Sequence, residues 1–278
     1  LFPYTTLFRS SQLILTSLYT TFNIVYLGMI CGDVQVGYYT TATKIENIIL
    51  ALYTSFTTVM MPRISAMMEA NDETGVKRMI QQSFNLLFAF VFPCVFFSEF
   101  YAEELVLLVA GERYDGAILP MRLIMPIMLI VGLEQILIVQ VLMPSRADKQ
   151  VFINSIIGAS CGIILNLLIV SRLQSVGSAL VWFVSEFVVM CSALYFIKKG
   201  RFLHIELGKN VVVHMAGFIP LAIVLGLMQY LQMPYWWSFL IGGIATIIYS
   251  HLILKNVIRN QTYIEIYKYA VQFIKRHN

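Results

Sequence analysis

The sequence has 278 residues, 59% of them hydrophobic and 12% charged, with a net charge of +4 and a mean hydropathy of +0.77. Soluble domains run to roughly 45–50% apolar and about 25% charged, so this composition suits a chain dissolved in lipid. The positive charge does not point to nucleic acid, because the basic residues sit in short clusters between apolar runs.

Leu1–Ser10 reads LFPYTTLFRS, which is an in-frame translation of a common sequencing-library adapter. It is expected to be an assembly artefact, excluded from fold reasoning, with the genuine chain entering mid-protein near Ser11. A bilayer core takes about 20 apolar residues per helix, and about eight such runs follow. They are Ser11–Ile30, Val36–Met61, Met79–Phe97, Leu119–Met143, Val151–Val170, Val176–Ile197, Val211–Leu231 and Tyr235–Leu254. The fold class is therefore an all-α polytopic membrane protein. Gln261–Asn278 is amphipathic instead: Tyr263, Tyr267, Ala270 and Ile274 recur at helical spacing, as in a helix on the membrane surface.

One set of loops holds Arg63, Lys77 and Arg78, then Arg146 and Lys149, then Lys198, Lys199, Arg201 and Lys209. The tail adds Lys255, Arg259, Lys268, Lys275 and Arg276, whereas the alternate loops hold only Arg113 and Arg172. This asymmetry puts the basic loops and both ends of the genuine chain in the cytoplasm. Pro93, Pro126 and Pro220 fall within spans and bend them. Gly158–Ala159–Ser160–Cys161–Gly162 is a GxxxG read as a helix-packing face. Trp236 and Trp237 read as interfacial anchors.

No chemistry-bearing motif of a soluble enzyme is present. His204, His214, His251 and His277 form no HExxH pair, and there is no P-loop. Cys31, Cys94, Cys161 and Cys191 form no CxxC pair and read as small apolar side chains. Neither a metal nor a cofactor is called for. The outer stretch Ser98–Ile118 carries Glu99, Glu103, Glu104, Glu112 and Asp115. These match paired glycosidase acids in residue type alone, and they read as a solvated external loop containing a short interfacial helix, Ala102–Val109.

Ionisable groups inside spans say more, because each costs several kcal/mol unless it meets water or a partner. The run YYTTATKIEN, Tyr38–Asn47, is too polar for lipid and must face protein or water. Lys44 lies roughly 12 Å along its helix from Val36. It has two readings, a cavity cation that attracts phosphate and an internal salt bridge to Glu134 or Glu186. Glu46, two residues on, faces another side of the helix. Glu134 and Glu186 sit near the middle of their spans, open to a proton-carrying or a structural role. Arg122 lies shallower and can snorkel outward.

The order of motifs resembles a known family. Leu27–Gly28, VGYY at Val36–Tyr39, MPRIS at Met61–Ser65 and VAGERYDGA at Val109–Ala117 are similar to features of bacterial polysaccharide flippases. These belong to the multidrug/oligosaccharidyl-lipid/polysaccharide exporter superfamily, where MPRIS stands at a turn. The likeness extends in spacing through Lys199, about two-thirds of the chain.

The resemblance implies two helical lobes around a cationic cavity, in the bacterial inner membrane. Undecaprenyl-pyrophosphate-linked oligosaccharide would be flipped there by alternating access. Polysaccharide polymerase and glycosyltransferases would be partners, and no nucleic acid. On that map residues 11–198 are the C-terminal six-helix lobe, 199–256 two additional helices and 257–278 a cytoplasmic tail. Lys44, Glu46 and Arg122 are the candidate substrate contacts, and Glu134 and Glu186 the candidate ion-coupling groups. This sequence has Asn23 where many relatives carry an acid.

Alternatives are a membrane-embedded glycosyltransferase or O-antigen ligase, which usually needs a larger external loop than the roughly 20 residues available here, and a multidrug antiporter or lipid II flippase of the same superfamily. The topology has a direct test. Membrane-impermeant thiol reagents applied outside intact cells are expected to label cysteines placed at Gln35, Glu112 or Gln232. Cysteines at Lys77 or Lys209 should stay unlabelled, and labelling at Lys209 would overturn the orientation.

Overall fold

Lipid tails are as apolar as leucine, so apolar side chains do not by themselves draw membrane helices together; close packing and polar contacts do. A computed structural model describes residues 17, 20–200, 202, 207–231 and 234–277, apart from the side chains of residues 207–209, 235, 270 and 273–277. The expectations for Leu1–Ser10, for the beginning of the first span and for Gln232 lie outside the described residues. Within them, every regular element is helical.

Helix α1 comprises Thr20–Cys31. It is followed by α2 (Asp33–Glu69), α3 (Glu73–Phe100) and the short α4 (Ala102–Ala110). Then come α5 (Ile118–Ile124), α6 (Ile127–Gln135, continued by a wide turn to Leu142), α7 (Asp148–Leu165, continued to Val170) and α8 (Ser171–Gly200). The chain ends with α9 (Leu207–Tyr230), α10 (Tyr235–Leu252) and α11 (Gln261–His277). Six helical runs are long and apolar enough to cross a membrane, and α1 is a shorter apolar helix.

One of the six runs, Asp148–Gly200, has 53 residues. A straight helix of that length would extend roughly 80 Å, far beyond a bilayer core of about 30 Å. It breaks at Gln174, where φ is 54° and ψ −130°, and α8 packs back along α7. Gly177 permits the fold-back, since a methyl group there would lie 3.1 Å from the Val170 Cα. Six runs with this one counted as two arms, together with α1, give the eight apolar helices read from the sequence.

The MPRIS segment differs from expectation. It is no turn: α2 runs through Pro62 and ends at Glu69. Pro62 is exposed, and transmembrane helices accommodate proline by local adjustment of the freed backbone groups. The reversal comes at Ala70–Asn71, with Asn71 at φ 55°. Asp72 then caps α3 by accepting a hydrogen bond from the Gly75 N–H at 2.9 Å. Pro93 and Pro220 lie inside α3 and α9, and Pro126 divides α5 from α6.

The two ends of the bundle agree with the charge pattern. At one end Gln35 Oε1 accepts from the Ser175 N–H at 3.3 Å, and Tyr38 meets Tyr114 edge-on at 5.8 Å. These positions flank the loops poor in basic residues. At the other end Arg146 pairs with Glu69 at 3.5 Å.

Helices α2, α5, α6, α7 and α8 pack as one body, and α9, α10 and α11 dock on α3. That docking uses a ring stack, Phe92 on Phe218 at 6.0 Å. It also uses Asn260, which donates to the Asn85 carbonyl at 2.8 Å. Within the GxxxG face, a methyl group added at Gly158 would lie 2.5 Å from Val189 Cγ2 on α8. Gly158→Leu is therefore expected to force α7 and α8 apart and lower stability by about 1–3 kcal/mol. Thermal unfolding of the detergent-solubilised protein measures this, and an unchanged transition would show that the face is not packed.

Candidate functional site

The polar run of α2 folds as helix because its side chains bond their own backbone. Thr40 Oγ1 donates to the Val36 carbonyl at 2.8 Å, Thr41 Oγ1 to Gly37 at 2.8 Å and Asn47 Nδ2 to Thr43 at 2.7 Å. At about 100° per residue, Thr40, Lys44, Asn47, Ala51, Ser55 and Thr58 share one face. From Lys44 to Thr58 this face is exposed. A second exposed face is apolar, with Ile48 at 70% and Leu52 at 69% exposure. The outer surface of α2 thus divides into a polar stripe and a lipid-compatible one. Lys44 stands in the polar stripe, and among the described residues it enters no ion pair.

Behind α2 lies a pocket of about 310 Å³ between α1, α2, α7 and α8. Asn23 organises its wall, donating to the Tyr39 hydroxyl at 3.0 Å and to the Ser178 carbonyl at 3.2 Å. Asn166 donates to the Gly162 carbonyl at 2.9 Å. The Oδ1 atoms of both asparagines and the Ser185 hydroxyl have no partner among the described residues. Thr43 and Asn47 also line the pocket, so it adjoins the polar stripe.

On the opposite face of α2 from Lys44, Glu46 points into the protein with no exposed surface. Glu134 of α6 has one enclosed oxygen without a partner among the described residues, and Glu186 of α8 is buried. Trp182 Nε1 donates to Glu186 Oε1 at 3.0 Å. Tyr39 and Trp182 meet edge-on at 6.5 Å, and both also wall the pocket. Thr57 Oγ1 donates to Gln135 Oε1 at 2.9 Å, fixing α2 against α6 nearby.

The structure therefore encloses Glu46 and Glu186 and leaves Lys44 exposed on the other side of α2. Among the described residues there is no salt bridge from Lys44 to Glu134 or Glu186. Arg122 is exposed at the outer end of α5, where it faces Glu99 and Glu104. Sequence reasoning missed Asn166, Tyr39 and Trp182 as wall residues. The available signal was a buried amide inside the apolar run IILNLLIV, which charge-based scanning passes over.

Removing the Asn23 side chain takes away the donor to the buried Tyr39 hydroxyl and the bond that ties α1 to the Ser178 carbonyl of α8. Asn23→Ala is expected to destabilise the protein by about 1–3 kcal/mol. Combined with Tyr39→Phe it should be less than additive in thermal unfolding. Full additivity would show that the two side chains act independently.

Comparisons with known proteins agree with this architecture. Residues 5–119 match the model of a family described as "Polysaccharide biosynthesis protein". A protein of Escherichia coli (strain K12) described as a candidate O-antigen transporter is 27% identical over 191 residues, which is 67% of this chain and 45% of the relative. Among solved structures, the lipid II flippase MurJ in an inward closed conformation superposes with a TM-score of 0.72 at 16% identity. That match covers 89% of this chain and 53% of the other, and at this identity the likeness concerns the fold. The chain spans about half the length of these relatives.

Proposed function

We propose that this chain is the C-terminal part of a flippase that moves undecaprenyl-pyrophosphate-linked oligosaccharide across the bacterial inner membrane during polysaccharide assembly. The observation that carries this reading is the polar stripe on α2 with Lys44 in it. A polar helix face exposed at membrane depth is tolerated only against protein or a wet cavity. Such a face suits cargo with a sugar and diphosphate head, and a lysine with no carboxylate partner among the described residues supplies the countercharge. Arg122, at the outer end of α5, would attract the same head at the cavity mouth.

The work done is translocation, with no covalent step, and the O-antigen and lipid II proteins it resembles are a transporter and a flippase. The enclosing surface would come from a second lobe, a reading supported by the chain spanning about half the length of its relatives. Residues 11–198 would form the six-helix lobe, 199–256 the two additional helices and 257–278 the cytoplasmic tail.

The test is glycan export by the full-length protein. Lys44→Ala should abolish export and leave protein abundance normal, because the exposed ammonium holds no buried carboxylate. Lys44→Arg should keep part of the activity, since it keeps the charge. Normal export by Lys44→Ala would remove Lys44 from the cargo path. Lost abundance rescued by Glu134→Gln or Glu186→Gln would restore the ion-pair reading instead.

A further inference from the structure

We propose that His214, Asn260 and Asn85 form a proton-sensitive latch that fastens α11 to α3 and α9, closed while His214 is neutral and opened by a proton on its Nε2. The Asn260 Oδ1 accepts from the Tyr263 N–H at 3.0 Å. The Asn260 Nδ2 donates to the Asn85 carbonyl at 2.8 Å. A backbone N–H only donates and a carbonyl only accepts, so these two partners fix which end of the amide is which. The amide nitrogen has two hydrogens. One goes to Asn85, and the other is left for His214 Nε2, 3.3 Å away.

A ring nitrogen that meets an amide donor must offer a lone pair, so Nε2 carries no hydrogen. On the other side of the ring, Nδ1 lies 2.8 Å from the Asn210 carbonyl. That oxygen can only accept, so Nδ1 carries the hydrogen. Both contacts require the same neutral tautomer of His214.

The latch is enclosed. His214 is 3% exposed and Asn260 4%. The imidazole lies against Phe88 and Phe92 of α3, with ring centroids 5.1 and 6.1 Å away. A proton on Nε2 would set one donor against another and place a charge in an enclosed site.

The charged groups on the surrounding elements have other engagements or stand further off. On α3, Lys77 pairs with Glu73 at 3.7 Å, and Arg78 precedes Asn85 by about two turns. On α10, His251 Nδ1 lies 2.8 Å from the Tyr263 hydroxyl. Beyond it, Lys255 lies over the Tyr267 ring at 4.8 Å. Arg259 next to Asn260, and Glu265 and Lys268 on α11, are exposed. Lys209 of α9 has its side chain outside the described residues. Among the described residues His214 enters no ion pair.

Opening has a local consequence. Asn260 caps the first turn of α11 and bonds α3 at once, whereas α9 keeps its own hold on α3 through Phe92 and Phe218. Docking of α11 is complete while His214 is neutral and is lost as the pH falls through its titration. Acidification thus frees the amphipathic helix and leaves the bundle assembled. The latch works without any cargo, so it stands apart from the flippase reading.

The experiment uses the purified full-length protein in lipid nanodiscs, with the native cysteines replaced and a nitroxide label on a cysteine at Gln272, an exposed position of α11. Histidine nitrogen NMR follows His214 in the same sample. At about pH 8 the Nδ1–H tautomer and an immobilised label are expected, and towards about pH 5 a mobile component should grow several-fold and reversibly as His214 titrates. His214→Phe should remove the pH response, and Asn260→Ala should leave the label mobile throughout. An Nε2–H tautomer in the histidine-intact protein at the alkaline end would overturn the proposal without reliance on a substitution at the latch. So would titration of His214 with no change in the label, no titration of His214 across the range, or an undiminished pH response in His214→Phe.

Discussion

A polar group in the bilayer core has three acceptable fates: a bond to its own helix, enclosure by protein, or contact with water. Helix α2 carries residues in all three. Thr40 and Asn47 bond their own backbone, Glu46 is enclosed, and Lys44 is exposed on a polar stripe. The rest of the lobe is arranged around these needs. Helix α8 encloses its carboxyl group, Glu186, and α1 and α7 bring amides to the pocket at the side. Apolar side chains such as Leu87, Phe88, Met121, Ile124 and Ile136 still fill the space between the helices, but in lipid they contribute close packing rather than a hydrophobic drive.

The peripheral helices follow a different logic. Helices α9 and α10 attach to α3 through stacked rings and close packing, with Phe218 between Phe92 and Phe96. His214 sits beside Phe88 at 5.1 Å, and its Nε2 lies 3.3 Å from the Asn260 amide nitrogen. The Asn260 Oδ1 accepts from the Tyr263 N–H at 3.0 Å, which starts α11. The amphipathic last helix is therefore fixed to the lobe by an asparagine at its first turn. These additions dock on α3, so they extend the protein without using the polar stripe of α2.

Much of the architecture was legible in the sequence because membrane spans are set by length and polarity alone. Apolar runs of about 20 residues gave the helices, and clustered lysine and arginine gave the alternation of ends. The two-residue spacing of Lys44 and Glu46 already required different faces. What stayed hidden depends on rotation about helix axes that are far apart in sequence. Nothing in the runs around Glu134 and Glu186 tells which way α6 and α8 turn their carboxyl groups. Lys44 was a natural partner for those acids on charge grounds, and geometry places it on the wrong face. The turn expected at Met61–Ser65 came from the resemblance, and α2 instead runs on through Pro62 to Glu69.

The two faces of α2 also bear on each other. A helix transmits displacement along and across itself as a rigid rod, because each backbone bond closes on the next turn. Lys44 and Glu46 are less than one turn apart, so neither can move without carrying the other. Packed interfaces such as those of α2 with α5, α6 and α8 respond by switching between discrete arrangements rather than by gradual deformation. Thr57, bonded to Gln135, ties the lower part of the same helix to α6, and the Asn23–Tyr39 and Gln35–Ser175 bonds tie its upper part to α1 and α8. That upper part carries both Lys44 and the Tyr39, Thr43 and Asn47 side of the pocket wall, so a load on the polar stripe is borne by the same helix that walls the pocket.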